Sequence, residues 1–263
     1  MKSACVFAAF LFLVGLSAAP AANAQSVQLP LDHFKCYPIQ DTPPINEFVE
    51  LHDQFDDQTG IVEQVLVHRA VIFCNPVQKQ FPVGAAPTPI QHPNAHLKMY
   101  WIGPPTTALP QRSVVILNQF GTQQLTVLQP LLLGVPTRKL PHPAPDPDEL
   151  DHFKCYPAIG QPTTSAAPLA LTLRDQFDRT AEQVRLLRAV VFCNPVEKKH
   201  DEQPTPILHP EAHLACYAFT PNIPGRPAIL VQTENQFSSE KFFVSPPRYL
   251  CVPSLKLQVS GGG

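Results

Sequence analysis

Motifs that would announce an enzyme are missing from this chain. It has no Gly-x-Ser-x-Gly elbow and no glycine-rich phosphate loop, which removes the usual signatures of serine hydrolases and nucleotide-binding proteins. It has no Cys-x-x-Cys and no His-Glu-x-x-His, so zinc lacks its commonest ligand spacing. Charge is sparse, at 15% of residues, and no block of lysine or arginine occurs. With a formal net charge of −2, nucleic acid and anionic membrane are poor partners. Long helical periodicity is lacking, and 32 prolines interrupt the chain. Only one tryptophan is present, Trp101.

The one long apolar run lies at the start. Lys2, the apolar stretch Val6–Leu16 and Ala22-Asn23-Ala24 have the order of a secretory leader cut before Gln25. The run is shorter than the roughly 20 residues of a membrane span. Residues 1–24 are thus expected to be a signal peptide carrying Cys5 away. The rest is expected to be an exported protein, periplasmic or extracellular, with no transmembrane segment.

What the chain does have is repetition. Asp32-His33-Phe34-Lys35-Cys36-Tyr37 returns as Asp151-His152-Phe153-Lys154-Cys155-Tyr156. Variants stand at Ala95-His96-Leu97-Lys98-Met99-Tyr100 and Ala212-His213-Leu214-Ala215-Cys216-Tyr217. Each opening is followed by Asp-Gln-Phe or Asn-Gln-Phe, ending at Phe55, Phe120, Phe177 and Phe237, and then by Cys74-Asn75-Pro76, Gly134-Val135-Pro136, Cys193-Asn194-Pro195 or Cys251-Val252-Pro253. Such self-similarity sets the architecture. It gives four units in an A-B-A-B order. The expected division is a first repeat domain at 25–140, a proline-rich linker at 141–148, a second repeat domain at 149–258 and a flexible tail at 259–263. Each half should then fold alone.

Period-two alternation, as in Val49, Leu51, Asp53 and Phe55, indicates half-buried strands. The expected fold is all-β: two tandem β-sandwich or small-barrel domains, each of two similar units with three or four short strands. Arg69-Ala70, Gln129-Pro130 and Pro246-Pro247 fall at one equivalent place and should kink the strand there.

The repeats also choose a cysteine pairing. Six cysteines outside the leader allow 15 pairings. Cys36 and Cys74 recur as Cys155 and Cys193, and Cys216 and Cys251 occupy the positions of Met99 and Gly134. Both cysteines of that remaining pair are absent together, as bonded partners would be. Bridges Cys36–Cys74, Cys155–Cys193 and Cys216–Cys251 are therefore expected, each worth about 4 kcal/mol on the chain-entropy estimate. No metal site and no cofactor is expected.

On a strand, residues four apart share a face. His33 and Tyr37, His96 and Tyr100, His152 and Tyr156, and His213 and Tyr217 thus form a repeated face. It is either a packed layer between units or a ligand platform, with Trp101 as the best exposed-aromatic candidate, although a core position is the expectation for it. Repetition in all four units favours the packed layer. Asp56-Asp57 is expected to be a solvated acidic turn. Lys79, Lys139, Lys198 and Lys256, each five residues past the closing position, are expected on solvated turns or guarding a sheet edge. No catalytic residue is assigned.

These signatures together resemble an uncharacterised domain family of exported bacterial proteins. The resemblance spans residues 31–256 and implies a domain of unknown function, with no activity attached. The expected function is an exported, non-catalytic β-rich binding or structural module for an unknown protein or glycan. The alternative is an extracellular hydrolase of polysaccharide or peptide, with a site between the two domains.

Overall fold

The structure is a computed structural model that describes residues 29–57, 60, 62–104, 109–141, 150–160, 169–221 and 227–261. The expected signal peptide and most of the expected linker lie outside these residues. The described residues form strands and turns, with no helix among them. The first unit holds β1 (Phe34–Gln40), β2 (Glu47–Asp53), β3 (Glu63–Pro76) and β4 (Gln78–Gln80). The second holds β5 (His96–Ile102), β6 (Arg112–Asn118), β7 (Gly121–Val127) and β8 (Leu132–Leu140). The third holds β9 (Phe153–Gly160), β10 (Leu169–Arg174), β11 (Glu182–His200) and β12 (Gln203–Thr205). The fourth holds β13 (His213–Pro221), β14 (Ile229–Asn235), β15 (Ser238–Val244) and β16 (Tyr249–Ser260).

Each unit has one plan. An opening strand pairs with the closing segment of its own unit, so that Cys36 faces Cys74, Met99 faces Gly134, Cys155 faces Cys193 and Cys216 faces Cys251. The three bridges expected from the repeats are present. At the unbridged position, a Cβ on Gly134 would lie 3.3 Å from Cβ of Phe153. Glycine there lets Phe153 approach.

Each opening strand also pairs with the closing segment of the unit before it: β5 with β3, β9 with β8, and β13 with β11. The first opening strand, β1, pairs with β16, the last strand of the chain. The eight pairings therefore return on themselves as a ring. It is not a clean barrel, because bulges interrupt β3–β5 and β11–β13 and the strands run on into hairpins outside the ring. Phe34, Leu97, Phe153 and Leu214, with the bridges and Met99, pack as one cluster. The opposite face, carrying the four tyrosines, builds two more clusters beneath the hairpins.

The expected kink takes two forms. Units one and three lack proline there, and β3 and β11 pass through with a shifted register. Units two and four carry Pro130 and Pro246-Pro247, which have no N–H to give to a ladder. There the strand breaks, between β7 and β8 and between β15 and β16.

The all-β, disulfide-stapled expectation is met, but strand pairing does not follow two tandem domains. Hairpins cross between halves: β2 pairs with β11, β10 with β4, β6 with β16 and β14 with β8. Each joins a unit to the one two places away. Val259 and Ser260, expected in a flexible tail, pair with Val114 and Ser113.

Candidate functional site

The hairpin exchange explains the repeated side chains. The turn of the first unit, Asp53-Gln54-Phe55-Asp56, covers the opening strand of the third. Tyr156 Oη donates to Asp53 Oδ2 at 2.7 Å, and Asn194 Nδ2 donates to the same oxygen at 2.9 Å. Lys154 Nζ lies 3.0 Å from Asp56 and 2.7 Å from Glu63, all essentially buried. Phe55 meets Tyr156 edge-on at 5.2 Å.

The third unit returns the arrangement. Tyr37 Oη donates to Asp175 Oδ2 at 2.7 Å, Asn75 Nδ2 joins it at 3.0 Å, and Lys35 pairs with Asp178 and Glu182. Units two and four exchange in the same way with different chemistry. Tyr100 donates to Asn235, whose amide donates to Thr137, and Lys98 pairs with Glu240 at 2.8 Å. Asn118 Nδ2 donates to Tyr217 at 2.9 Å and to Ser254 at 3.0 Å. Where the fourth unit has Ala215 for lysine, the facing turn has Gly121 and Gln123 for the acids. Gln123 instead accepts from Tyr217 Oη at 3.0 Å.

The four tyrosines thus have no exposed surface. His96, His152 and His213 are buried and His33 half-buried. His33 meets Gln119 at 2.9 Å and His152 meets Gln236 at 3.3 Å, both glutamines being turn residues of the next unit. His96 stacks on Phe73 and His213 packs on Phe192. The repeated His/Tyr face is a layer between units. Trp101, expected in the core, stands apart on the surface instead, 45% exposed.

Two expectations change. Asp56 is not a solvated acid but the buried partner of Lys154. The closing lysines are not solvated either: Lys79 and Lys198 are buried, and Lys139 and Lys256 half-buried. Each lies over the turn phenylalanine of the following unit: Lys79 over Phe120, Lys139 over Phe177, Lys198 over Phe237 and Lys256 over Phe55, the last at 4.9 Å. Burial lowers Lys79, Lys198 and Lys256 to about 8. Burial works against the Lys154 charge, but Asp53, Asp56 and Glu63 outweigh it and raise its pKa.

These environments predict a pH profile. His33, His152 and His213 are lowered to about 3, first by burial and then by Lys79, Lys198 and Lys256. The unfolded chain takes up these protons near 6.5, so their contribution to stability is complete above that pH and is lost as pH falls toward 3. Asp56 and Asp175 run the other way. Burial first raises both from 3.8 to about 6, so their contribution is present below 3.8 and is lost as pH rises to 6. Between pH 6 and 4 the three histidines outweigh the two aspartates by one proton. Below 4 the histidines act alone. Calorimetry should show Tm falling gently from pH 6 to 4 and steeply from 4 to 3. A flat Tm across that range would contradict the assignment.

Among the described residues, no group of three or more His, Cys, Asp or Glu side chains is placed to hold a metal ion. Among the same described residues, no helix is long and apolar enough to cross a membrane.

No curated protein and no solved structure matches the chain. Residues 96–226, from the opening strand of the second unit into the fourth, match a family described as a repeat of unknown function (DUF7450). Over that segment, the chain is similar to a repeat to which no activity is assigned.

Proposed function

We propose that this chain is an exported, non-catalytic β scaffold that serves as a binding or structural module outside the cytoplasm. One observation carries the reading. The titratable and hydrogen-bonding groups of the repeated motifs are spent on one another, holding each turn onto the unit two places away. Catalytic groups must face a substrate and hold a reactive protonation state. Here the tyrosines are buried, and the acids of units one and three are paired with Lys154 and Lys35. Three bridges fit an oxidising compartment. Against a hydrolase with a site between two domains stands the interlocking of the halves, which buries the surfaces that would line it.

The test has two arms. Exported protein, mapped without reduction, should contain the three bridges and no free thiol. The same protein should cleave no member of a panel of fluorogenic glycosides and peptides. Turnover that disappears with Lys154→Ala, in protein that still melts cooperatively, would overturn the reading.

A further inference from the structure

Since the repeat builds the scaffold, residues that break it mark where the scaffold is used. Four breaks meet on one surface. Trp101 stands where the other units have Pro38, Pro157 and Ala218. Gly103 replaces Gln40, Ile159 and Thr220, and His68 replaces Leu128, Leu187 and Ser245. Phe48 replaces Ser113, Ala170 and Leu230. Phe48 pairs with Leu66 across β2 and β3, facing away from buried Val49 and Val65. Gly103 N–H donates to Leu66 O at 2.9 Å, and the His68 and Trp101 rings lie 6.1 Å apart. The row runs over three adjacent strands, with Phe48 61% and Trp101 45% exposed at its ends.

Resting on the binding-module reading above, we infer that this row is a platform for a neutral polysaccharide, with sugar rings stacking on Phe48 and Trp101. Gly103 stands opposite Leu66 and Phe48, and Trp101 lies two residues further along β5, so two strand spacings and about 7 Å along the strand separate Phe48 from Trp101, about 12 Å in all, a span that suits a short stretch of extended glycan. Half-buried Leu66, His68 and Gly103 lie between and beside them on the same face. The absent side chain at 103 opens the edge of His68, whose Nε2 lies 3.6 Å from where a Cβ would stand. Glu50 and Gln64, paired on the same face in the next row, offer an acceptor and an amide to hydroxyl groups. Lys199 beside Glu50 and exposed Arg69 beside His68 leave the face without one dominant sign.

Trp101 is the only tryptophan, so intrinsic fluorescence reads this surface alone. The full chain is titrated with hexaoses of β-1,4-glucose, β-1,3-glucose, β-1,4-xylose and β-1,4-N-acetylglucosamine, following acrylamide quenching. At least one sugar should shield Trp101. Phe48→Ala should weaken that shielding tenfold or more with Tm unchanged. Gly103→Gln, which borrows the residue of the first unit and meets only ordinary contacts, should also block it. No shielding by any of the four sugars overturns the platform, as does shielding that survives both substitutions. Absence of shielding together with a protein partner captured equally by the parent and both variants overturns the platform while leaving the binding-module reading standing.

Discussion

Cut at the expected linker, the chain should give two fragments, residues 25–141 and 150–263, neither of which unfolds cooperatively alone. The reason is the exchange of turns. Without the second half, Lys35 loses Asp178 and Glu182, Tyr37 loses Asp175, and Tyr100 loses Asn235. Without the first, Tyr156 loses Asp53, Lys154 loses Asp56 and Glu63, and Tyr217 loses Asn118. The strand β1 also loses β16, leaving open ladder edges. An unpaired buried polar group costs about 1–3 kcal/mol and a broken buried ion pair roughly 3–5 kcal/mol. Several such losses exceed the 5–15 kcal/mol that holds most domains together. Circular dichroism of each fragment should show no sharp melt, and mixing the fragments under redox buffer should restore one. Two independently melting halves would return the molecule to tandem domains.

Lys154→Ala should be the most damaging single substitution. It leaves Asp56 and Glu63 buried without their cation and removes the charge that Asp53 feels through the same cluster. The expected loss is roughly 3–5 kcal/mol, or about 6–20 °C in Tm at the roughly 2–4 °C per kcal/mol of a chain this size. The chain contains its own rescue. The fourth unit lives with Ala215, and the turn facing it has Gly121 and Gln123. Lys154→Ala combined with Asp56→Gly and Glu63→Gln copies that version except at Asp53, where the second unit has Asn118, and should recover much of the loss, because removing a buried cation together with its two closest acids is far cheaper than removing the cation alone. A triple variant no more stable than Lys154→Ala would show that the acids do not act through this lysine.

Much of this fold was legible in the chain. Period-two alternation marked the hairpin strands, and the paired absence at Met99 and Gly134 pointed to the bridges, because a disulfide is a pairwise object. The destination of each hairpin was harder to see. An A-B-A-B order is satisfied equally when a turn covers its own unit and when it covers the unit two places away, since both are of one type. Asp53 with Asn194 therefore looks the same as Asp53 with Asn75. One irregularity breaks the tie. Ala215 lacks its lysine in the fourth unit, yet the missing acids belong to the second, at Gly121 and Gln123, while the fourth keeps Glu240 for Lys98. Only exchange between units two and four makes these losses complementary. The buried lysines escaped notice because lysine is rarely fully buried. The aromatic row across Phe48, His68 and Trp101 was hidden for another reason: its members lie on three strands, and only pairing register brings them together.

The central claim is that each turn is locked onto the unit two places away. A double-mutant cycle on Tyr156→Phe and Asp53→Ala, measured by urea unfolding of the full chain, tests it most directly. These residues are 103 apart in sequence and joined by a 2.7 Å hydrogen bond. Exchange predicts a coupling energy of about 0.5–3 kcal/mol, the range of residues in one buried network. Additive effects, with coupling indistinguishable from zero, would mean that the turn of the first unit does not rest on the third.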